Sequence, residues 1–194
     1  RPTLPKVSAP MWRGGWQAFA MRSPEILTRS ATARRLVVLA GLGAGALALT
    51  ALGAFAKGHA LMINASPSLP FWALWTTKGA VPQRGDIILF VPPPSPLLQA
   101  HFGKEPKPFG KVVSGVPGDV VTRKDRAFFV NGRLVATAKP VSRRGETLAL
   151  GPTGTVPKGC YFVTTPHKDS FDSRYAAIGW VCKSRILGVG RPIL

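Results

Sequence analysis

The chain has 194 residues, of which 26 are Lys or Arg and 8 are Asp or Glu, so its formal net charge is +18 at pH 7. This length allows one domain with a hydrophobic core and does not by itself imply two. The 21 glycines and 19 prolines are too few for a disordered low-complexity chain and fit a loop-rich, mostly β fold. The basic residues are scattered and follow no nucleic-acid-binding motif, so we expect contact with anionic lipid and no nucleic acid partner.

An apolar segment near the N-terminus is long enough to cross a membrane. Residues 36–56 form 21 consecutive positions without a charged side chain, and a helix of this length spans a hydrocarbon core of roughly 30 Å. The preceding residues 1–35 are basic, so the positive-inside rule places this tail in the cytoplasm and residues 57–194 outside the inner membrane, in the periplasm. The alternative is a cleavable secretory signal, because residues 54–56 resemble a small-residue cleavage site.

Short β-type runs separated by turn signals follow the apolar segment. We predict strands at 86–91, 111–116, 119–122, 127–130, 133–137, 160–165 and 179–182. Asn131-Gly132 between two of these runs is the strongest two-residue hairpin signal, whereas the proline-rich stretch 92–110 is predicted to be a loop. The predicted fold class is therefore mostly β, an antiparallel β-domain behind one N-terminal transmembrane helix.

Two further features each allow two interpretations. Cys160 and Cys182 both fall in the exported part, where an oxidising compartment favours one disulfide over two buried free thiols. If their strands pair antiparallel, the two Cα atoms should lie roughly 4.4–6.8 Å apart. The aromatic run at residues 71–75 would either pack in the core or lie in the membrane interface.

The first candidate catalytic residues are a serine pair and a lysine. Ser66 and Ser68 lie in the run N-A-S-P-S-L-P, and a serine hydroxyl needs a neighbouring base to act as a nucleophile. Lys111 begins the run K-V-V-S-G-V-P-G-D, where burial would lower its pKa from about 10.4 and leave a neutral amine that accepts a proton. Each run also has a structural alternative when taken alone. The serine run would be a stiff loop after the membrane exit, and Lys111 would be a strand-end lysine whose amine reaches solvent along its aliphatic stem.

A third candidate segment is the run S-F-D-S-R-Y between the two late strands. It contains Ser170, Asp172 and Arg174. The aspartate and the arginine, two residues apart, are able to form a charge-assisted pair that holds a loop against the site. An ordinary polar turn is the structural alternative.

The order of these motifs resembles the type I signal peptidases, the serine–lysine endopeptidases of family S26. S-x-S-x-P is followed by R-G-D-I-I-L-F, then by K-V-V-S-G-V-P-G-D and S-F-D-S-R-Y, and the resemblance extends from about Asn64 to Leu194. Within this family, the sequence is most similar to the conjugative-transfer branch, the TraF-type peptidases that process pilin precursors. The resemblance implies a signal-peptidase-like β-domain and a membrane-bound endopeptidase that cleaves exported precursor proteins at the lipid bilayer, with no metal and no cofactor.

The resemblance also implies roles for individual residues. Ser68 corresponds to the nucleophile and Lys111 to its general base. The backbone N–H of Ser68 and the hydroxyl of Ser66 correspond to the donors of the oxyanion hole, which stabilise the negative charge of the transition state.

Further positions match residues that support the lysine. Asp172 and Arg174 correspond to an acid–arginine pair near the lysine, with Ser170 as a supporting residue, and in the TraF branch the aspartate is also assigned to the active site. Asp86 and Asp119 are interpreted as structural turn residues.

Two alternatives to a pilin-processing peptidase stay open from the sequence. Within the same class, the chain would be a general housekeeping signal peptidase acting on many secretory precursors. In a different class, it would be a catalytically inactive, basic protein of the membrane surface that binds anionic lipid or nucleic acid through its charge.

Overall fold

The computed structural model describes residues 25–63 and 68–193. The chain divides into two compact units, residues 1–50 and residues 51–194. The division predicted from the sequence, into a tail (1–35), a membrane anchor (36–56) and an exported domain (57–194), stays a prediction.

Helix α1 runs from Glu25 to Gly58. Its part Ser30–Gly58 contains an 18-residue window with a mean hydropathy of 2.1 and is long and apolar enough to cross a membrane, by length and composition. The prediction of one apolar N-terminal helix is confirmed, but the helix begins at Glu25 and not at Leu36. The helix therefore includes residues 25–35, which precede the apolar run, because an uncharged run marks the part of a helix that lipid tolerates and not where the helix begins. The Ala, Arg and Leu residues at 31–36 are strong helix formers that extend it.

Within the described residues, eleven strands form two antiparallel sheets. In chain order they are β1 (His59–Ile63), β2 (Ala73–Thr77), β3 (Ile87–Phe90), β4 (Phe109–Gly115), β5 (Val120–Lys124), β6 (Ala127–Val130), β7 (Arg133–Thr137), β8 (Gly154–Thr155), β9 (Cys160–Thr164), β10 (Val181–Cys182) and β11 (Ile186–Pro192). The larger sheet has the order β1-β2-β11-β3-β4-β9-β10, and the smaller has the order β7-β6-β5-β8. The mostly antiparallel β fold is confirmed.

The structure corrects the prediction in the proline-rich stretch 92–110. This stretch contains helix α2 (Pro96–Phe102), and β4 already begins at Phe109. Ser95 precedes the helix and Pro96 opens it; proline is favoured at the first helical position because its missing N–H would be unpaired there in any case. The Ser-Pro pair was thus an available helix signal that the overall proline content outweighed.

Two turns form as the sequence indicates. Asn131 and Gly132 have φ values of 49° and 79° and join Val130 of β6 to Arg133 of β7, which is the backbone that a tight Asn-Gly hairpin requires. Asp119 accepts hydrogen bonds from the backbone N–H of Val116 at 2.6 Å and from Asn131 Nδ2 at 2.7 Å. Asp119 therefore holds the turn before β5 against the hairpin.

The strands at the centre of the larger sheet separate two buried clusters. Side chains alternate between the two faces of a strand. The larger cluster includes Ile88, Phe90 and Val113, and the smaller one involves Leu69, Leu74, Ile87, Leu89 and Val112. Lys111 accordingly lies on the same face of β4 as Val113, and Gly110 lies on the opposite face.

The aromatic run divides between the two fates considered for it. Leu74 is buried in the smaller cluster, whereas Trp72 is 58% exposed and Trp75 is 36% exposed. Trp75 packs beside His59, with ring centroids 5.6 Å apart. Core packing therefore accounts for Leu74 and for Phe71, which packs against the same cluster, and a membrane-interface position for Trp72 stays a prediction.

The two cysteines pair across the end of the sheet. Cys160 opens β9, Cys182 ends β10, and the antiparallel register places them opposite each other. A disulfide joins them. Their Cα atoms are 3.8 Å apart, which is closer than the separation expected from the sequence.

Removing this disulfide should destabilise the protein measurably. The bond closes a loop with a sequence separation of 22, and constraining a loop of this size in the unfolded chain contributes about 3 kcal/mol. We expect the double variant Cys160→Ser/Cys182→Ser to lose that much in the free energy of unfolding, measured by urea denaturation followed through tryptophan fluorescence. An unchanged urea midpoint, or two titratable thiols in the unreduced parent, would contradict this expectation.

Candidate active site

Ser68 and Lys111 meet in the folded chain although 43 positions separate them. Lys111 is the third residue of β4, and its side chain is only 5% exposed. Its Nζ donates a hydrogen bond of 3.2 Å to Ser68 Oγ. This distance allows a proton to pass between the two groups when the amine is neutral.

The neighbouring residues explain why Ser68 is held at this strand. Leu69, the next residue, is buried in the smaller cluster. A Cβ atom added at Gly110 would lie 3.2 Å from Leu69 Cδ1, so the missing side chain at Gly110 leaves room for Leu69 against β4. The glycine before the lysine thereby lets the serine segment approach Lys111.

Burial changes the acid–base behaviour of the lysine. Desolvation lowers the pKa of Lys111 from 10.5 to about 8; the nearby Asp172 carboxylate raises it and the Arg174 guanidinium lowers it. The Phe109 ring centroid lies 5.6 Å from Nζ and contributes to the apolar surroundings. At pH 7 about a tenth of the amine is therefore unprotonated, a far larger fraction than for a solvated lysine.

Asp172 and Arg174 form a buried, two-point ion pair beside this group. Arg174 Nε donates to Asp172 Oδ1 at 2.8 Å and Nη2 donates to Oδ2 at 2.7 Å. Asp172 is 0% exposed and Arg174 is 2% exposed. Burial alone would lower the pKa of Arg174, but its hydrogen bonds to Asp172 hold that pKa above its usual value. The pair is thus joined by two hydrogen bonds and shielded from water.

The same arginine fixes the loop that carries the pair. Arg174 also donates to the carbonyl oxygens of Thr137 at 3.1 Å, His167 at 3.1 Å and Ser170 at 3.4 Å. These bonds tie the segment between β9 and β10 to the end of β7. Ser170 is held in this loop with its hydroxyl buried and without a hydrogen-bond partner among the described residues.

One cavity of about 640 Å³ brings these groups to a common space. Ser68, Lys111 and Ser170 line it. Part of its wall is aliphatic, from the smaller buried cluster, and part is aromatic, from Phe102, Phe109 and Phe171. An apolar cleft with a few convergent polar groups is the usual form of a binding or catalytic site.

The residues singled out from the sequence have different places in this arrangement. Ser68 and Lys111 are in contact, and Asp172 is near enough to raise the pKa of the lysine. Ser66 lies outside the described residues. The aromatic wall was not predicted, although the alternation of Phe109, Lys111 and Val113 along β4 was a signal that Phe109 faces the same side as the lysine.

Known proteins match this chain over most of its length. A family model described as "Signal peptidase, peptidase S26" matches residues 33–194. The chain is 28% identical over 170 residues to the conjugal transfer protein TraF of Agrobacterium fabrum, covering 80% of this chain and 94% of that protein. It is 30% identical over 117 residues to signal peptidase I of Bacillus amyloliquefaciens, covering 56% of this chain and 55% of that protein. Among solved structures, a signal peptidase I from Enterococcus faecalis V583 has 29% identity and a TM-score of 0.37, covering 57% of this chain and 97% of that chain.

Proposed function

This chain belongs to the signal peptidase family S26, and we propose that it is a membrane-anchored serine endopeptidase with Ser68 as nucleophile and Lys111 as general base. The observation that carries the proposal is the 3.2 Å contact between Ser68 Oγ and Lys111 Nζ. Lys111 is buried, and its pKa of about 8 supplies the neutral amine that a base must have. A serine in chance contact with a surface lysine would lack this lowered pKa.

In the proposed reaction, the neutral Lys111 amine accepts the Ser68 hydroxyl proton while Oγ attacks the scissile carbonyl carbon. Lys111 then gives this proton to the leaving amine as the C–N bond breaks, and an ester links the substrate acyl group to Ser68. A water molecule, deprotonated by the same amine, attacks the ester carbonyl. The Ser68–acyl bond breaks, and the proton returns to Oγ.

The surrounding groups support this chemistry in the proposal. The Ser68 backbone N–H and the Ser66 hydroxyl would donate to the oxyanion, and such a donor is typically worth about 2.7–4 kcal/mol in the transition state. Asp172, fixed by Arg174, sets the charge beside Lys111. Ser170 lines the same cavity as Lys111 with a buried hydroxyl that has no hydrogen-bond partner among the described residues, and a supporting role for it is part of the proposal.

The substrate class we propose is an exported precursor of the pilin type, processed at the inner membrane. The match to TraF covers 80% of this chain, whereas the match to the Bacillus amyloliquefaciens signal peptidase I covers 56%. Helix α1 would anchor the protein with its basic N-terminus in the cytoplasm, leaving the β-domain in the periplasm with the precursor. A general signal peptidase acting on secretory precursors is the alternative within the family.

Replacing Ser68 by alanine tests the proposed function directly. A pilin-like precursor and a general secretory precursor would each be co-expressed with the protein in cells whose own signal peptidase cannot cut them. We expect the parent to shorten the pilin-like precursor on a gel, and the Ser68→Ala variant to leave it uncut while remaining in the membrane fraction. Losing the nucleophile removes all of the covalent pathway.

A second serine supplies the matched control. Ser184 is exposed on the short helix Lys183–Arg185, so Ser184→Ala makes the same chemical change away from the site and should process like the parent. Full processing by Ser68→Ala would overturn the enzyme proposal. Equal or faster cleavage of the secretory precursor would favour the general peptidase.

A further inference from the structure

The aromatic part of the cavity wall is built by three segments that meet beside the lysine. Phe102 ends α2, Phe109 opens β4, and Phe171 lies between Ser170 and Asp172. The Phe102 ring packs edge-on against the rings of Phe109 and Phe171, with ring centroids 4.9 Å and 5.7 Å apart, respectively. Yet the Phe102 side chain stays 44% exposed and lines the cavity. An aromatic surface left open inside a cleft is suited to binding another apolar group.

Two side chains hold α2 in this position. Arg144 Nη1 donates a hydrogen bond to the Ala100 carbonyl oxygen. Glu146 Oε2 lies 3.1 Å from His101 Nε2 and accepts a hydrogen bond from Ser142 Oγ. The helix end is therefore fastened to the loop between β7 and β8, so Phe102 is presented by a supported element and the wall is preformed.

The chemistry of the reaction indicates which part of a substrate meets this wall. In the proposed mechanism Lys111 Nζ gives a proton to the leaving amine, so the chain that follows the scissile bond begins within hydrogen-bond reach of Nζ. The Phe109 ring centroid is 5.6 Å from the same atom. The aliphatic cluster lies on the opposite face of β4, where Gly110 faces Leu69. The aromatic wall is thus next to the leaving segment.

We propose that Phe102, Phe109 and Phe171 form a subsite for a bulky apolar or aromatic side chain located within the first few residues after the scissile bond of the precursor. This inference rests on the proposed function and narrows its substrate class. Precursors with a large apolar residue there are preferred over those with alanine or glycine, because the side chain leaves water for a preformed aromatic surface.

The test compares peptides that differ in one side chain. Four synthetic precursor-like peptides share the residues before the scissile bond. One carries alanine at the first three positions after it, and the others carry phenylalanine at one of these three. The full-length protein in detergent should cleave one phenylalanine peptide with a kcat/KM about tenfold above the alanine peptide, the lower end of what one well-filled apolar pocket discriminates. Phe102→Ala should bring this ratio close to one, and Phe102→Leu should keep part of it.

A matched variant and a binding measurement separate this inference from the proposed function. Leu134 is an exposed apolar residue of β7 outside the cavity, so Leu134→Ala should keep the parent's ratio. In the Ser68→Ala background, fluorescence anisotropy should show tighter binding of the preferred phenylalanine peptide, and Phe102→Ala should abolish that difference. A parent that cleaves all the peptides at equal rates, or a ratio unchanged by Phe102→Ala, overturns the subsite. A parent that cleaves none of them overturns the proposed function, while the anisotropy difference still reports on the subsite.

Discussion

Replacing Lys111 by arginine should abolish precursor cleavage even though it conserves the positive charge. A guanidinium stays protonated at any working pH and cannot accept the Ser68 proton. Loss of a base that works as a unit with its nucleophile lowers kcat by a factor on the order of 10⁴ to 10⁶. We expect the loss for Lys111→Arg and Lys111→Ala alike, measured as the rate of conversion of a purified precursor in detergent.

The same assay should show the titration of the lysine in the parent. Because the pKa of Lys111 is lowered to about 8 and only the neutral amine is active, kcat/KM should rise as the pH increases from 6 and level off above about 8. Lys124→Arg, on the exposed end of β5, makes the same substitution outside the site and should leave both rate and profile unchanged. A cleavage rate of Lys111→Arg within about tenfold of the parent rate would refute the role of Lys111 as general base. A parent kcat/KM that stays constant between about pH 6 and 9 would refute it as well.

Local signals in the sequence were sufficient where the structure is local. The Asn131-Gly132 turn needs only two residues with positive φ, and Asn and Gly are the residue types that favour this conformation. The lysine at the start of an apolar run also became a buried strand residue, because the alternation of Lys111, Val112 and Val113 places it on the face of Val113. Position in the motif order then supplied Ser68 as its partner, which no local pattern could have done.

Two kinds of strand were not predicted, those that contain glycines and the one that follows the apolar helix α1. In β11 the glycines at 188 and 190 are typical of a turn, but a Cβ atom at Gly188 would lie 2.6 Å from the Thr77 carbonyl oxygen. Glycine is required there because β2 and β11 approach closely, and this approach is a property of the assembled sheet. β1 begins directly after α1, at a place that the sequence describes only as the end of an apolar run.

The aromatic wall was beyond sequence reasoning for a similar reason. Phe102, Phe109 and Phe171 come from a helix, a strand and a loop, and nothing in their spacing states that they meet. The first two of them also lie in the stretch 92–110, whose prolines predicted a loop. The contacts among these three rings depend on the whole sheet, because the sheet sets the distance between the loop after β9 and the start of β4.

The second large effect concerns the free energy of unfolding. Asp172→Asn removes the carboxylate that accepts two hydrogen bonds from Arg174 and leaves a guanidinium with 3% side-chain exposure facing a neutral amide. Breaking a buried ion pair on one side costs about 3–5 kcal/mol, since the remaining charge is desolvated without a partner. We expect a loss of this size in urea denaturation. Any activity left should have its pH profile shifted to lower pH, because Asp172 raises the pKa of Lys111 and Arg174 lowers it.

A double-mutant cycle identifies the unpaired charge as the cause. Asp172→Asn/Arg174→Gln no longer buries a net charge, so it should be more stable than the sum of the two single losses predicts. The matched control is Arg84→Gln, which breaks the 2.5 Å pair between the half-exposed Arg84 side chain and the 11% exposed Asp119 side chain. Asp119 keeps its hydrogen bonds from Val116 and Asn131 after this change, so we expect a loss near the 0–1 kcal/mol of a surface pair, at about 1 kcal/mol. Equal losses for Asp172→Asn and Arg84→Gln, or strict additivity in the cycle, would show that the buried pair does not hold the loop beside Lys111.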